Sequence, residues 1–184
     1  VAAENQEIID DVKSNGGNAI LTSKNNKTGT DRIFEAFNLI KRSDIDYIMN
    51  VQGDEPDIDI NDIRNLDIKT KSNNSRIGTL AAKLLGQDML NNENIVKVQT
   101  QEQLDKNSFP FAKKFMRKTN DSEKVYHHIG IYCYDVDTLK KFVSFDQSKN
   151  ELNNKLEQLR ALDNDIKINV ALATKSPIGV DTKQ

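Results

Sequence analysis

The sequence predicts an α/β fold in which a mixed, mostly parallel sheet is flanked by helices. Two observations carry this prediction. Short runs rich in β-branched and aromatic residues recur along the chain, and segments with apolar residues at helical spacing lie between them. Strands that alternate with helices are typical of a sheet covered on both faces, in which ligands bind beyond the carboxyl ends of the strands.

Six segments are predicted to be strands because each combines consecutive apolar residues with β-branched or aromatic side chains. In chain order they are residues 19–22, 47–51, 77–85, 95–98, 128–134 and 166–173. Asparagine-rich stretches between several of these segments are typical of surface loops or helix starts. No internal repeat and no low-complexity linker interrupts the alternation.

Two segments have the apolar periodicity of amphipathic helices. In residues 30–41, Ile33, Phe37 and Ile40 fall on one helical face together with Ala36, whereas charged residues occupy the other sides. The same spacing recurs nearer the C-terminus in a set of four leucines, Leu152, Leu156, Leu159 and Leu162. We therefore expect a helix in each of the two regions.

The chain has 184 residues, of which 36% are hydrophobic and 29% are charged. This length and composition suit a single domain, residues 1–184, with one hydrophobic core. The formal net charge of −2 argues against a broad electrostatic surface for nucleic acid or an anionic membrane, so neither is an expected partner. An anionic ligand must therefore be held by local cations.

The sequence contains no run of about 18 apolar residues and no basic stretch followed by an apolar one, so neither a membrane span nor a signal peptide is visible. We therefore expect a cytoplasmic protein. The single cysteine, Cys133, allows no internal disulfide, which fits a reducing compartment.

The stretch TGTDR, residues 28–32, lies where a polar loop becomes the first predicted helix. Thr28 and Asp31 form a plausible capping pair, and Gly29 allows a tight turn that leaves free N–H groups, which attract anions. Arg32 adds a cation in the first turn, where the helix dipole favours an acid. One interpretation is an anion-binding loop; the alternative is that Asp31 and Arg32 are surface residues of a capped helix.

A second polar junction follows the strand predicted at residues 47–51. Gln52, Asp54 and Glu55 stand at the expected ligand edge of the sheet. Carboxylates there suit a Mg²⁺ site, because Mg²⁺ prefers carboxylate and phosphate oxygens and retains several waters. The alternative is a turn that merely closes the strand. Asp181, near the C-terminus, is a candidate second carboxylate for the same ion, although this stretch taken alone favours an aspartate in a turn.

His127 and His128 are the only histidines, and without a cysteine pair or a third histidine a zinc site is not expected. Cys133 lies in the same predicted strand and is expected in the core. His128 and Cys133 are an odd number of positions apart, so they face opposite sides of a regular strand. We therefore expect no Cys/His nucleophile.

Several stretches together resemble one family, the 3-deoxy-manno-octulosonate cytidylyltransferases, also called CMP-Kdo synthetases. The most specific are TGTDR, NVQGDEP, HIGIY, LEQLRAL and GVDT, and their order and spacing cover most of the chain. The resemblance implies a nucleotide-diphospho-sugar transferase-like (Rossmann-like) domain and a homodimer. It also implies Mg²⁺-dependent transfer of CMP from CTP to the sugar acid Kdo, with release of pyrophosphate, for lipopolysaccharide biosynthesis.

The resemblance also implies roles for individual residues. Asp54 and Asp181 resemble the pair that holds the catalytic magnesium. The CTP pocket would include the TGTDR loop and a glutamine on the sheet edge, that is, Gly29, Thr30, Asp31, Arg32 and Gln52. The sugar pocket would include His128 together with the acid and amide of the LEQLRAL motif, Glu157 and Gln158.

The chain also departs from the family pattern. Family members begin with a strand and a basic, glycine-containing loop that grips the triphosphate, and they end in a closing helix; we expect both to belong to a longer protein. Where the family carries Phe-Ser-Arg-Ser-Pro on the sugar side, residues 109–118 read FPFAKKFMRK, and Lys113 or Lys114 is the expected cation. Two alternatives remain: a cytidylyltransferase for another acidic sugar, of the amino-Kdo or sialic acid type, and an inactive nucleotide-sensing relative.

Overall fold

The computed structural model describes residues 1–177 as strands and helices that alternate along the chain. The helices are α1 Gln6–Ser14, α2 Gly29–Ile40, α3 Ile60–Ser72, α4 Gln87–Asn91, α5 Val136–Ser144, α6 Lys149–Asn154 and α7 Leu159–Asp163. The strands are β1 Ala2–Ala3, β2 Ile20–Leu21, β3 Tyr47–Asn50, β4 Ile77–Ala82, β5 Lys97–Thr100, β6 Ala112–Met116, β7 Val125–Asp135 and β8 Ile168–Leu172.

Six strands form one mixed sheet in the order β6-β5-β7-β4-β8, with β3 also paired to β7. Strands β1 and β2 form a separate parallel pair. The predicted α/β fold with a mixed sheet flanked by helices is therefore confirmed.

The expectation that the sheet is mostly parallel is wrong at the level of neighbouring strands. Among the described residues, β4 and β8 are the one parallel pair in the large sheet, whereas β7 runs antiparallel to β3, β4 and β5, and β6 runs antiparallel to β5. The chain passes from β5 through β6 to β7 without an intervening helix, and such connections favour antiparallel pairing.

Helices cover both faces of the large sheet. On one face, Leu139 and Phe142 of α5 and Leu159 of α7 belong to a buried cluster with strand residues. On the other face, Leu66 of α3 packs with a second cluster that includes Ile131. This burial on both sides explains why the strands read as continuous apolar runs rather than as alternating ones.

The predicted leucine-rich helix is interrupted. It forms the two short helices α6 and α7, separated at Lys155, whose φ of 52° is left-handed. Leu156 and Leu159 are buried, but Leu152 is 55% exposed, so the four leucines do not share one buried face. The interruption leaves residues 155–158 as a connecting segment.

Strand β6 was not predicted. It lies at an edge of the large sheet. Its adjacent exposed lysines, Lys113 and Lys114, hide the apolar pattern of the strand. Exposed lysines are common on edge strands because they discourage pairing with other chains.

Cys133 is fully buried, as expected. No helix within residues 1–177 combines the length and the apolar character needed to cross a bilayer.

Candidate active site

A cavity of about 490 Å³ lies beyond the end of β3, between β7 and the connection from α6 to α7. Five of the candidate site residues line it: Gln52, Asp54, His128, Glu157 and Gln158. These residues come from three separate motifs of the sequence. The fold therefore brings together the polar junction after β3 and the residues that the resemblance placed on the sugar side.

The TGTDR loop lies beside this cavity rather than in its wall. Thr28 is the N-cap of α2 and accepts a hydrogen bond from the backbone N–H of Asp31 at 3.3 Å, as the capping pair predicted. The backbone N–H of Thr30 donates to Oε1 of Glu157 at 3.3 Å, and the Thr30 hydroxyl lies 3.2 Å from that of Tyr134. Thr30 therefore joins the start of α2, next to Gly29, to the cavity wall.

Arg32 has internal partners. Its guanidinium donates to the Thr22 hydroxyl at 2.8 Å and to the Ser23 carbonyl at 3.3 Å, and it forms an ion pair with Glu4. These contacts hold α2 against the segment that carries β1 and β2. Arg32 thereby braces the loop from within the protein.

His128 is buried at the inner wall of the cavity. Its Nε2 lies 3.0 Å from the Thr79 hydroxyl, which in turn donates to the Ile131 carbonyl at 2.8 Å. Because that hydroxyl has one proton, Nε2 must carry the proton of the imidazole and donate it to Thr79. Burial, with a smaller contribution from His127, lowers the pKa of His128 to about 3. His128 is therefore a neutral wall residue with Nδ1 as an acceptor.

Glu157 is a carboxylate of the cavity whose pKa departs from the usual value. Burial raises its pKa, and hydrogen bonds from Thr30 and Thr28 and the charge of Arg160 oppose that increase. Glu157 therefore gains and loses its proton at a pH closer to neutral than an exposed glutamate does.

Two cations that the sequence reasoning missed also line the cavity, Arg117 and Lys155. Each of the three guanidinium nitrogens of Arg117 donates one hydrogen bond to a backbone carbonyl. The acceptors are the carbonyls of Asn154 at 3.2 Å, Glu93 at 3.2 Å and Lys155 at 3.3 Å. Each terminal nitrogen of a guanidinium carries a second N–H, so Arg117 can donate further hydrogen bonds to a ligand.

Lys113, the cation expected from the sequence, is exposed on β6 and is not a cavity residue. A sequence signal for Arg117 was also present: Phe115, Met116 and Arg117 have a Phe-x-Arg spacing like that of the expected Phe-Ser-Arg pattern.

Three consecutive residues hold the segment after β8 beside the cavity. Thr174 donates its backbone N–H and its hydroxyl to Oδ2 of Asp62, each at 2.9 Å. Lys175 pairs with Asp57 at 2.8 Å, and Ser176 is hydrogen-bonded to His127. Asp181, the second candidate metal ligand, lies outside the described residues.

The carboxylate chemistry at the cavity suits a hard cation. Asp54 is an exposed carboxylate at its mouth, and Mg²⁺ commonly uses one or two protein carboxylates together with substrate phosphates and waters. Within residues 1–177, no group of three or more His, Cys, Asp or Glu side chains is arranged to hold a metal by itself. Asp54 is therefore a candidate for one such carboxylate.

Comparisons with known proteins show which proteins this chain resembles. A cytidylyltransferase family model matches residues 1–168. A 3-deoxy-manno-octulosonate cytidylyltransferase of Thermodesulfovibrio yellowstonii is 40% identical over 202 residues, which include 100% of this chain and 76% of that protein. A protein of the same name from Brucella canis is 36% identical over 186 residues, which include 100% of this chain and 74% of that protein.

Solved structures give the same result. The structure of CMP:2-keto-3-deoxy-manno-octonic acid synthetase complexed with CTP superposes with a TM-score of 0.84 at 26% identity, covering 98% of this chain and 74% of that one. An apo UDP-glucose pyrophosphorylase superposes with a TM-score of 0.61 at 12% identity, covering 94% of this chain and 67% of that one, which shows a shared fold alone.

Proposed function

Because this chain belongs to the 3-deoxy-manno-octulosonate cytidylyltransferase family, we propose that it transfers CMP from CTP to Kdo. In this reaction the anomeric hydroxyl of the sugar loses its proton to solvent and its oxygen bonds to the α-phosphorus of CTP. The bond from the α-phosphorus to the bridging oxygen breaks in line, and pyrophosphate leaves with that oxygen.

One observation carries this proposal beyond family membership. A single cavity joins Gln52 and Asp54, at the end of β3, to His128, Glu157 and Gln158 on the facing walls. A transfer between two bound substrates needs such an arrangement, because holding the two reacting atoms together removes most of the entropic cost of their encounter. No protein nucleophile is required, and Cys133 is buried in the core.

The nucleotide would lie on the side of the TGTDR loop and Gln52. There, Gly29 is exposed at the first turn of α2, where the positive end of the helix dipole favours negatively charged oxygens. Thr30, Asp31 and Arg32 would shape this loop through the internal contacts described above.

The sugar acid would lie on the side of His128, Glu157 and Gln158. Its carboxylate needs cationic or amide donors, and Arg117 and Lys155 line the same cavity. A guanidinium can bind a carboxylate with two parallel hydrogen bonds, which a lysine ammonium cannot reproduce. Arg117 therefore takes the role that the sequence reasoning gave to Lys113.

Asp54 and Asp181 would hold Mg²⁺ between them. When bound, this ion would neutralise charge that develops on the phosphate oxygens during transfer. Asp54 supplies the hard carboxylate oxygens that this requires.

We also propose that the protein acts as a homodimer in the cytoplasm, where a CTP-consuming reaction of this kind takes place.

The test is Kdo-dependent release of pyrophosphate by the purified protein from CTP and Mg²⁺, with ATP, GTP and UTP as controls. Release that requires both CTP and Kdo supports the proposal. A parallel panel of acidic sugars, including sialic acid and amino-Kdo, identifies the acceptor. Release with another sugar but not with Kdo would identify the alternative cytidylyltransferase, and CTP binding without release would favour the nucleotide-sensing relative.

A further inference from the structure

Arg160 is the largest fully buried side chain among the described residues, at 1% exposure. Its guanidinium makes two hydrogen bonds to the carboxylate of Glu151, at 2.9 Å and 2.7 Å. Its remaining nitrogen lies 3.5 Å from Oδ1 of Asp31, and its plane lies over the ring of Phe142, with the central carbon 4.6 Å from the centroid. One buried cation therefore joins two carboxylates from distant parts of the chain.

The two carboxylates lie outside the cavity lining, on elements that lead to the two proposed substrate sides. Asp31 is in the first turn of α2, the nucleotide side of the proposed site. Glu151 is in the capping box of α6 with Ser148, and α6 leads directly into the segment that carries Glu157. The backbone N–H of Arg160 also donates to the Glu157 carbonyl at 3.1 Å. Arg160 thus contacts the sugar side through both its side chain and its main chain.

The geometry of a guanidinium makes this link rigid. Its planar donors match a carboxylate in two parallel hydrogen bonds, which fixes orientation as well as distance. The Glu151 pair sets the plane of Arg160, and that plane determines where Asp31 must lie to make its ion pair. The second link across the same boundary is the hydrogen bond from Thr30 to Glu157, and Thr30 is adjacent to Asp31.

We propose that Arg160 is a positioning residue that couples the two substrate sides of the cavity. It fixes the TGTDR loop relative to Glu157 and Gln158, so that each side reaches its binding geometry only when the other side is in place. This inference rests on the proposed function for the identity of the two substrates. It adds a residue that touches neither substrate and that controls the binding of both.

The discriminating variant is Asp31→Asn. It removes the charge that Arg160 faces but leaves the pair between Arg160 and Glu151 intact, so the protein is expected to fold with an unchanged unfolding temperature. Arg160→Lys is the companion variant, because one ammonium cannot hold Glu151 in two parallel bonds and still reach Asp31. Arg42→Met is the matched control, since it breaks an exposed ion pair with Asp44 outside the cavity.

The dissociation constants of CTP and of Kdo are measured by calorimetry for each variant, together with KM and kcat. For Asp31→Asn and Arg160→Lys we expect both ligands to bind about five-fold or more weakly, as is typical of coupled sites, while kcat changes less than KM. The double variant is expected to be no weaker than the stronger single variant, because both substitutions break the same link. Arg42→Met is expected to bind as the wild type does.

If Asp31→Asn weakens the binding of CTP but not that of Kdo, or if the losses of affinity in the double variant are additive, the proposed coupling is overturned. Asp31 would then have a purely local role. If Arg160→Lys does not fold, Asp31→Asn decides alone. Failure of the proposed function is seen separately, in a wild type that binds CTP but shows no sugar-dependent pyrophosphate release. A wild type that binds neither ligand overturns both proposals.

Discussion

The backbone N–H of Thr30 donates to the side chain of Glu157 at 3.3 Å, although the two residues are 127 positions apart in the chain. Thr30 stands in the loop assigned to the nucleotide, and Glu157 stands in the wall assigned to the sugar acid. This hydrogen bond therefore spans the boundary between the two proposed substrate sites, as does the ion pair between Arg160 and Asp31. The charge on Glu157 is the property of this contact that is easiest to change.

Glu157→Gln keeps an acceptor for Thr30 but removes the charge. Hydrogen bonds to charged groups contribute about 1.5–3 kcal/mol, so we expect kcat/KM for Kdo to fall about ten-fold or more. Because burial raises the pKa of Glu157, the ionised form is lost at a higher pH than for an exposed glutamate. Wild-type kcat/KM should therefore decline as pH falls through that raised pKa, and a pH profile of the variant should lack this decline.

Asp54→Asn tests the proposed metal site. The amide keeps the size of the side chain but removes the charge that attracts Mg²⁺, and the loss of charge stabilisation at a transferring phosphate is worth several kcal/mol. We expect kcat/KM to fall about a hundred-fold or more, with partial recovery at high Mg²⁺ in a titration. Asp44→Asn, at an exposed ion pair, is the control. Near-normal turnover of Asp54→Asn at ordinary Mg²⁺ would refute the metal assignment.

The elements that the sequence predicted correctly depend on local signals. Helix α2 begins after Thr28 because the capping side chain and the following glycine are encoded within a few residues. Strand β3 ends at Asn50, where the apolar run ends, and this places Gln52 and Asp54 at the edge of the sheet. Such features need no knowledge of the rest of the chain.

The features that were missed depend on distant partners. Strand β7 pairs with three strands at once, and strand direction leaves no trace in the apolar pattern of a single segment. Arg117 is held at the cavity by hydrogen bonds to the carbonyl groups of Asn154 and Lys155. These two residues become neighbours of Arg117 only after folding. The interruption at Lys155 was likewise hidden, because the leucine spacing continues through it.

Arg117→Lys and Arg117→Met test the assignment of the sugar carboxylate. Lysine keeps the charge but cannot form two parallel bonds, so we expect KM for Kdo to rise about ten-fold in Arg117→Lys and more in Arg117→Met. KM for CTP should change less. Lys118→Met is the control, because Lys118 is a largely exposed neighbour that pairs with Glu93. Equal increases in the KM of both substrates would contradict a role specific to the sugar.

Asp62 tests how the segment after β8 is held at the cavity. This carboxylate is 2% exposed and accepts both the backbone N–H and the hydroxyl of Thr174 at 2.9 Å. Asp62→Ala removes both hydrogen bonds from Thr174 to this buried carboxylate. Because hydrogen bonds to charged groups contribute about 1.5–3 kcal/mol, we expect the free energy of unfolding in urea to fall by about 1.5–3 kcal/mol. Asp62→Asn retains one acceptor oxygen and should lose less. Asp57→Asn breaks only the exposed pair with Lys175, a contact worth about 0–1 kcal/mol; if it destabilises the protein as much as Asp62→Ala does, the segment is not anchored mainly at Asp62.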